Sequence, residues 1–353
     1  MADLTIREAR GLFTKYLAET YKERTRPLSF LRSFFAPKEG GTRYVSIEVQ
    51  RGTEKVAADI VRGTEGNINT FSRSTEKIFE PRLYDEKFNA TDLDVYDQLH
   101  IAQNGTVSST ALMSWIETVS ESLGSCQDKI ERAYELQASQ VFEDGIVTSS
   151  VDVNIDYKRK TTSKVDKGAG NYWATGTVDP RLDIQNGCDW LRANGKVQGE
   201  VFNMILGKTA MQHLLSNDEF KSQGDIEAYQ ALQMIAEPQR NSVGGTLHGY
   251  INCGPYKVNL WTYNDGYELS GTFTNYINNK KVIIIPETPK FVMAYAAVPV
   301  IPKDMDAVIN QAGSFHVYEY LDRARKGHYY GVTSAGLAIP VGVDQMYTLQ
   351  VVA

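Results

Sequence analysis

Seven apolar residues between positions 112 and 133 recur at steps of four and three: Leu112, Ile116, Val119, Leu123, Cys126, Ile130 and Ala133. Steps of that size line one stripe of an α-helix, with the heptad spacing of a helix that packs along its whole length. Ser108, Ser109 and Thr110 offer hydroxyls for the N-cap, and Gly145 supplies the stop. Thr110 to Glu143 then forms a rod about 50 Å long at 1.5 Å per residue. Most helices of globular domains run only three or four turns, so this rod sets the scale of whatever packs on it. Gly124 inside it costs about 1 kcal/mol relative to Ala. A coiled coil or a broad sheet would bury the stripe, and the strand patterns that follow favour the sheet.

Upstream, Leu4 to Tyr21 has the spacing of a short helix, with Leu12, Phe13 and Leu17 clustered along it. A charged segment then ends in Arg26-Pro27-Leu28-Ser29-Phe30-Leu31-Arg32-Ser33-Phe34-Phe35, and Ala36-Pro37-Lys38-Glu39-Gly40-Gly41 breaks the chain. Phe30, Leu31, Phe34 and Phe35 demand burial, yet their neighbours offer no core. A tethered apolar anchor docks elsewhere on its own chain or on a neighbouring one. Beyond the break, Val45, Ile47 and Val49 alternate with polar residues as in a half-buried strand. Lys55 to Val61, with Val56 and Ile60, is a second strand, placed to pair with the first as a hairpin. Gly63 to Ser74 is a polar loop, and the chain stays extended to Asn104. An excursion this long needs another surface to lie on.

After the rod, Val151, Val153, Ile155 and Tyr157 alternate with polar residues as a strand, and Lys158 to Gly170 is a charged loop. From Val178 the texture becomes α/β. Asp179-Pro180 opens a helix to Leu191, closed by Gly195. Glu200 to Leu206 is a strand, and Thr209 to Leu215 and Ile226 to Ala236 have helical spacing. Tyr256 to Tyr263, Lys281 to Ile285 and Phe291 to Ile301 are strands, the second buried on both faces. The last forty residues mix Tyr-rich strands with Gly and Pro turns.

With 353 residues the chain has material for two or more domains. Its net charge is −6, and residues 1–40 carry eight Lys/Arg against five Asp/Glu, leaving the body at −9. An acidic body argues against tight nucleic-acid binding, which needs clustered cations to neutralise phosphates. Cys126, Cys188 and Cys253 are widely spaced and form no CxxC pair, as expected of reduced thiols in a cytoplasmic protein. Arg7, Glu8 and Arg10 stand where a signal peptide would be apolar, and no run reaches membrane-spanning length. The sequons at Asn89 and Asn104 are then accidents.

Catalytic motifs fail on inspection. Gly207-Lys208-Thr209 resembles the end of a phosphate loop, but Phe202 stands where the leading Gly must be, so it reads as a strand-to-helix turn. Ser334 sits in an elbow-like Val332-Thr333-Ser334-Ala335-Gly336 without the first Gly and with no His after it. His316, Glu319, Asp322 and His328 lack tight ligand spacing. Asp92, Asp94 and Asp97 lack the Gly and distal Glu of a calcium loop, and Gly168-Ala169-Gly170 has Trp173 in place of a third Gly. No cofactor is expected.

The order of parts resembles a tailed-bacteriophage major capsid protein of the lambda gpE-like family. The sharper pieces of the likeness are Phe30-Leu31-Arg32-Ser33-Phe34-Phe35, the segment from Ala58-Asp59-Ile60-Val61-Arg62 through Phe79-Glu80-Pro81-Arg82-Leu83-Tyr84, and the tail Thr333-Ser334-Ala335-Gly336-Leu337-Ala338-Ile339-Pro340-Val341. The resemblance implies an α+β, HK97-like (Hong Kong 97) phage capsid fold. Residues 1–42 would be an N-arm and 43–85 an E-loop. Residues 86–177 and 290–353 would form a peripheral domain with a spine helix at about 110–143, and 178–289 an inserted axial domain. It implies an icosahedral head shell of pentamers and hexamers in the virion, made in the host bacterial cytoplasm. A scaffold protein, a portal and a decoration protein would be partners, and double-stranded DNA would be enclosed without specific binding. Assembly contacts would fall to Phe30, Leu31, Phe34 and Phe35 of the arm, and to Val45, Ile47, Val49, Val56 and Ile60 of the loop. No residue licenses a covalent crosslink.

Two other classes remain: a different phage or encapsulin-type structural subunit, and an α/β enzyme built on 178–290, which would need a pocket of convergent polar groups. If the Phe knot is an assembly contact, Phe34→Ala with Phe35→Asp should leave a folded subunit that cannot form shells.

Overall fold

The computed structural model describes residues 4–5, 27–49, 75–90, 106–107, 109–148, 154–175, 178–218, 220, 232–300, 308–322, 324 and 327–353. The chain runs β1 (Leu4–Thr5), a 3-10 turn (Arg32–Phe34), β2 (Ala36–Glu39), β3 (Val45–Val49), β4 (Thr75–Phe79), β5 (Tyr84–Asn89), β6 (Thr106–Val107) and helix α1 (Ser109–Asp144). It continues through β7 (Ile146–Val147), β8 (Ile155–Asp156), β9 (Lys164–Asp166), α2 (Pro180–Asn194), β10 (Val201–Leu206) and α3 (Lys208–Ser216). The remainder is strand: β11 (Leu232–Arg240), β12 (Thr246–Cys253), β13 (Tyr256–Thr262), β14 (Gly266–Leu269), β15 (Thr272–Asn275), β16 (Lys281–Pro286) and β17 (Phe291–Tyr295). Last come β18 (Val298–Val300), β19 (Ile309–Gln311), β20 (His316–Asp322), β21 (Gly327–Ser334), β22 (Gly336–Pro340) and β23 (Tyr347–Gln350).

A seven-stranded sheet of order β11-β12-β13-β10-β16-β23-β9 organises the molecule. Side-chain alternation gives it a core on each face. From β10, Phe202, Met204 and Leu206 join Ile184, Cys188 and Leu191 of α2 and Ala210, Met211 and Leu214 of α3. Ile205 points the other way, into the core of α1. β16 splits likewise, Val282 and Ile284 to one core and Ile283 and Ile285 to the other. A strand buried on both faces must be apolar throughout, which is what the Lys281 to Ile285 run predicts. Asn203, the polar exception on β10, accepts hydrogen bonds from Asn259 Nδ2 at 3.1 Å and Trp261 Nε1 at 3.2 Å.

α1 extends the expected rod by one residue at each end. Its buried stripe starts on the heptad, through Val119, Leu123, Cys126 and Ile130, but continues through Tyr134, Ala138 and Val141, leaving Ala133 partly exposed. A straight helix at 3.6 residues per turn drifts about 20° per heptad, so the stripe walks around the rod. Gly145 stops the helix at φ +70°, its N–H bonded to Val141 O at 3.0 Å. α2 is capped by Asp179, which accepts from the Arg181 N–H, with Pro180 in the first turn as its sequence predicts.

Several expectations need correction. β3 pairs with β4, in the register Val45↔Phe79 and Val49↔Thr75, while Lys55 to Val61, the partner expected from sequence, falls outside the described residues. Phe79 is fixed by the ring of Tyr157 at 5.4 Å, so a contact 78 residues away in sequence selects the partner. Residues 50–74, with Val56 and Ile60, lie outside the described residues. The helix expected over Ile226 to Ala236 is strand from Leu232, paired to β12 at the sheet edge through Leu232↔Ile251 and Gln233↔Tyr250. Pro238 falls in the register shift between Met234 and Gln239, a position an edge strand tolerates. Phe291 to Ile301 divides into β17 and β18. Of the helix expected over Leu4 to Tyr21, Leu4–Thr5 is strand, paired with β6, and the rest lies outside the described residues. Of the strand from Val151, residues 151–153 also lie outside.

Candidate assembly surfaces

The arm root is built on one face of α1. Phe30, Leu31 and Phe35 are buried within this chain, and Phe34 packs beside them. The Phe30 ring lies 5.2 Å from Phe34, 5.4 Å from Trp261 and 5.4 Å from Tyr263. Phe35 sits between Phe142 at 5.4 Å and Phe291 at 5.3 Å. Gly245 makes room for this, since a Cβ there would lie 2.4 Å from the Phe30 ring. The sequence left open whether the knot docks on its own subunit or the next; in the structure it docks on its own. The long-range partners on α1, β13 and β17 carry no local signal.

Polar contacts fix the same turn. The Leu31 and Arg32 N–H groups donate to the two carboxylate oxygens of Glu135 at 2.7 and 3.0 Å. Arg32 approaches Glu131 at 3.6 Å, and Gln127 Nε2 donates to Glu131 at 2.8 Å. Glu135 is 1% exposed, and burial pushes its carboxyl up to about 7 despite the backbone donors. β2 then leaves the turn by adding in parallel to β17, and β22 flanks β17 on the other side.

The loop stem, β3 with β4, projects as a two-stranded sheet. Val45 is buried at its base. The side chains of Ile47 and Val49 fall outside the described residues. Arg43 pairs with Glu80 at 2.5 Å, but both are largely exposed, so the pair adds little stability. Ile78, Tyr44 and Leu83 are exposed along the stem, Ile78 at 68%. Between stem base and α1 runs a groove of about 1370 Å³, floored by Ile130, Ala133 and Leu136 and walled by Tyr267 and Leu269. Its charges include Arg43 and Glu80, and Lys129 and Glu86, each pair within 4 Å. A second projection, the β14–β15 hairpin, turns at Ser270 and Gly271 with positive φ at both. It exposes Leu269 at 67% and Phe273 at 64%.

The motifs weighed for catalysis have structural occupations. The Ser334 hydroxyl is fully buried, bonded to Tyr134 at 2.5 Å and donating to the Ser314 carbonyl. Tyr134 in turn accepts from Gly336 N–H at 2.9 Å, tying α1 to β22. A Cβ on Gly207 would meet the Asn278 carbonyl at 2.3 Å, so this chain's own backbone fills the space of a phosphate cradle. His328 pairs with Glu319 at 2.7 Å, and among the described residues no three ligating side chains gather for a metal. Asp92, Asp94 and Asp97 lie outside the described residues. No described helix is long and apolar enough to cross a membrane. The three thiols are free and buried, and burial raises each, Cys253 to about 11.

Comparison with solved structures gives a fold relative in a capsid protein assigned to a prophage of E. coli CFT073, with TM-score 0.63, 15% identity and 100% of both chains covered. A phage-related protein from Bordetella bronchiseptica RB50 follows at TM-score 0.52 and 11% identity, covering 99% of this chain and 98% of that one. No curated protein sequence matches the chain. The sequence profile of phage major capsid protein E matches residues 14–351. The chain has the HK97-like capsid fold and belongs to the lambda gpE-like family of phage major capsid proteins, which form icosahedral shells.

Proposed function

We propose that the chain assembles with copies of itself, as pentamers and hexamers, into the head shell that encloses a phage genome. The observation that carries this reading is a pair of thin two-stranded projections with apolar residues turned to solvent: Ile78 on the loop stem, and Leu269 and Phe273 on the hairpin. A two-stranded ribbon is marginal alone, and apolar tips of this size gain most of their burial energy from a neighbouring copy. Residues 43–85 act as the E-loop laid over that neighbour. Residues 1–42 act as the N-arm, with Phe30, Leu31, Phe34 and Phe35 anchoring its root to the parent subunit. The peripheral part, 86–177 and 290–353, carries α1 as spine, and 178–289 forms the axial part around the symmetry axes. Their junction is intimate, since β9 and β23 complete the sheet whose other strands come from 178–289.

The role is structural, without catalysis; the groove's opposite charges lie paired with one another instead of converging on a reacting centre. A scaffold protein, a portal and a decoration protein act as partners. The DNA is enclosed without sequence-specific contact, in keeping with a −6 chain. Synthesis takes place in the cytoplasm of the host bacterium before incorporation into the virion. Negative-stain microscopy of the expressed protein, alone and with its scaffold, is expected to show closed icosahedral shells. A monomer under every partner condition overturns the reading. Leu269→Lys with Phe273→Lys is expected to keep the circular dichroism of the wild type and abolish shells; shells of normal yield would remove the hairpin from the interface.

A further inference from the structure

We infer that docking of the arm root onto α1 is a proton-linked latch, in which Glu135 takes up a proton as the Arg32–Phe34 turn closes over it. Two buried carboxylates, Glu131 and Glu135, stand one turn apart on the same face of α1. Among the described residues of the arm, Arg32 is the cation that faces them, and at 3.6 Å from Glu131 it is beyond hydrogen-bond length. From the segments after β13 and β15, Tyr263 and Tyr276 face Glu135, with Asp265 acting on both phenols. From α1 itself, Gln127 binds Glu131, and Arg132, one residue along, points to solvent. Among the described residues two buried carboxylates thus share one arginine, and burial of Glu135 in that setting favours its protonated form.

The arm is what closes the site. Leu31 and Arg32 lie directly on the carboxylate through their N–H groups, and Phe30 and Leu31 are buried there. With the turn lifted, Glu135 meets water and titrates as an ordinary carboxyl. With the turn docked, its carboxyl is raised from 4.5 to about 7. The sign follows from linkage: the docked state binds the proton more tightly. The contribution to docking is complete below pH 4.5 and is lost as pH rises through about 7. Between pH 8 and pH 6 the docked population relative to the lifted one grows about ten-fold.

Hydrogen exchange of the full chain as unassembled subunit reads this directly, through the protection of the Leu31 and Arg32 amides corrected for intrinsic exchange rates. Protection is expected to be about ten-fold higher at pH 6 than at pH 8. In Glu135→Gln that ratio should fall below about two-fold. Equal protection at both pH values in the wild type, or an undiminished ratio in Glu135→Gln, overturns the latch. If Glu135→Gln does not fold, infrared titration of the wild type decides. A solvent-shielded carboxylic-acid band present at pH 6 and lost by pH 8 supports the latch, and its absence at pH 6 refutes it. None of these readouts depends on shell formation.

Discussion

Phe35 illustrates how a residue's neighbours decide its meaning. Its ring fills the space between Phe142 of α1 and Phe291 of β17, so a carboxylate at that position would be buried among aromatic rings. Phe34→Ala with Phe35→Asp is therefore expected to cost more than about 3–5 kcal/mol and to abolish the cooperative urea transition, contrary to the expectation from sequence that the subunit stays folded. A soluble variant with wild-type circular dichroism would return the knot to the intersubunit surface. The demand of Phe30, Leu31 and Phe35 for burial was legible in the chain, because hydrophobicity is a property of the residue. Where they are buried was not, because Glu135, Trp261 and Phe291 are remote in sequence and no periodicity links them.

At the level of elements, local chemistry was readable and pairing was not. α1 and α2 start and stop within a few residues of their expected ends, since caps, proline and glycine act within one turn. β3 took β4 as its partner, and β11 overrode a helical spacing, because ladders are chosen by the sheet. The C-terminal end of α1 shows a further non-local tie. Arg159, fully enclosed, donates to the Phe142 carbonyl at 2.8 Å, to the Ser163 and Met346 carbonyls at 3.0 Å each, and to Thr348 Oγ1 at 2.9 Å. It sits where the last carbonyls of a helix need donors and where positive charge is favoured. Burial lowers its guanidinium to about 10, which leaves it charged at neutral pH. In the sequence it was one cation in a charged loop. Arg159→Leu strands several buried acceptors at once and is expected to lower unfolding stability by about 2–4 kcal/mol in urea titration; a change under about 0.5 kcal/mol would show that water replaces it without loss.

For the molecule as a whole, one sheet serves two cores, and β10 and β16 contribute to both. Loss of either core removes half the burial of the same strands, so the two are expected to unfold together. The cysteines test this, Cys126 belonging to the α1 core and Cys188 and Cys253 to the other. Labelled with a thiol reagent across a urea series, all three should react at one common rate; earlier labelling of Cys188 and Cys253 would mean that the cores open separately. The overall architecture was legible because the rod, the strand texture and the aromatic arm occur in a recognisable order. The shared sheet was not, because β9 and β23 are short strands whose partners lie far along the chain.

That shared sheet also imposes a schedule. Asp166 of β9 pairs with Gln350 of β23, and Lys281 of β16 pairs with the same residue from the other side. A ribosome adding about 5–20 residues per second releases β9 roughly 10–40 s before its partner exists. β16 itself is made only late in that interval, and its edge then stays open for roughly 3–14 s until β23 follows, so neither core is sealed before then. A nascent chain therefore has no finished wall to offer a neighbour, and polymerisation must wait for complete subunits, which keeps truncated products out of the shell.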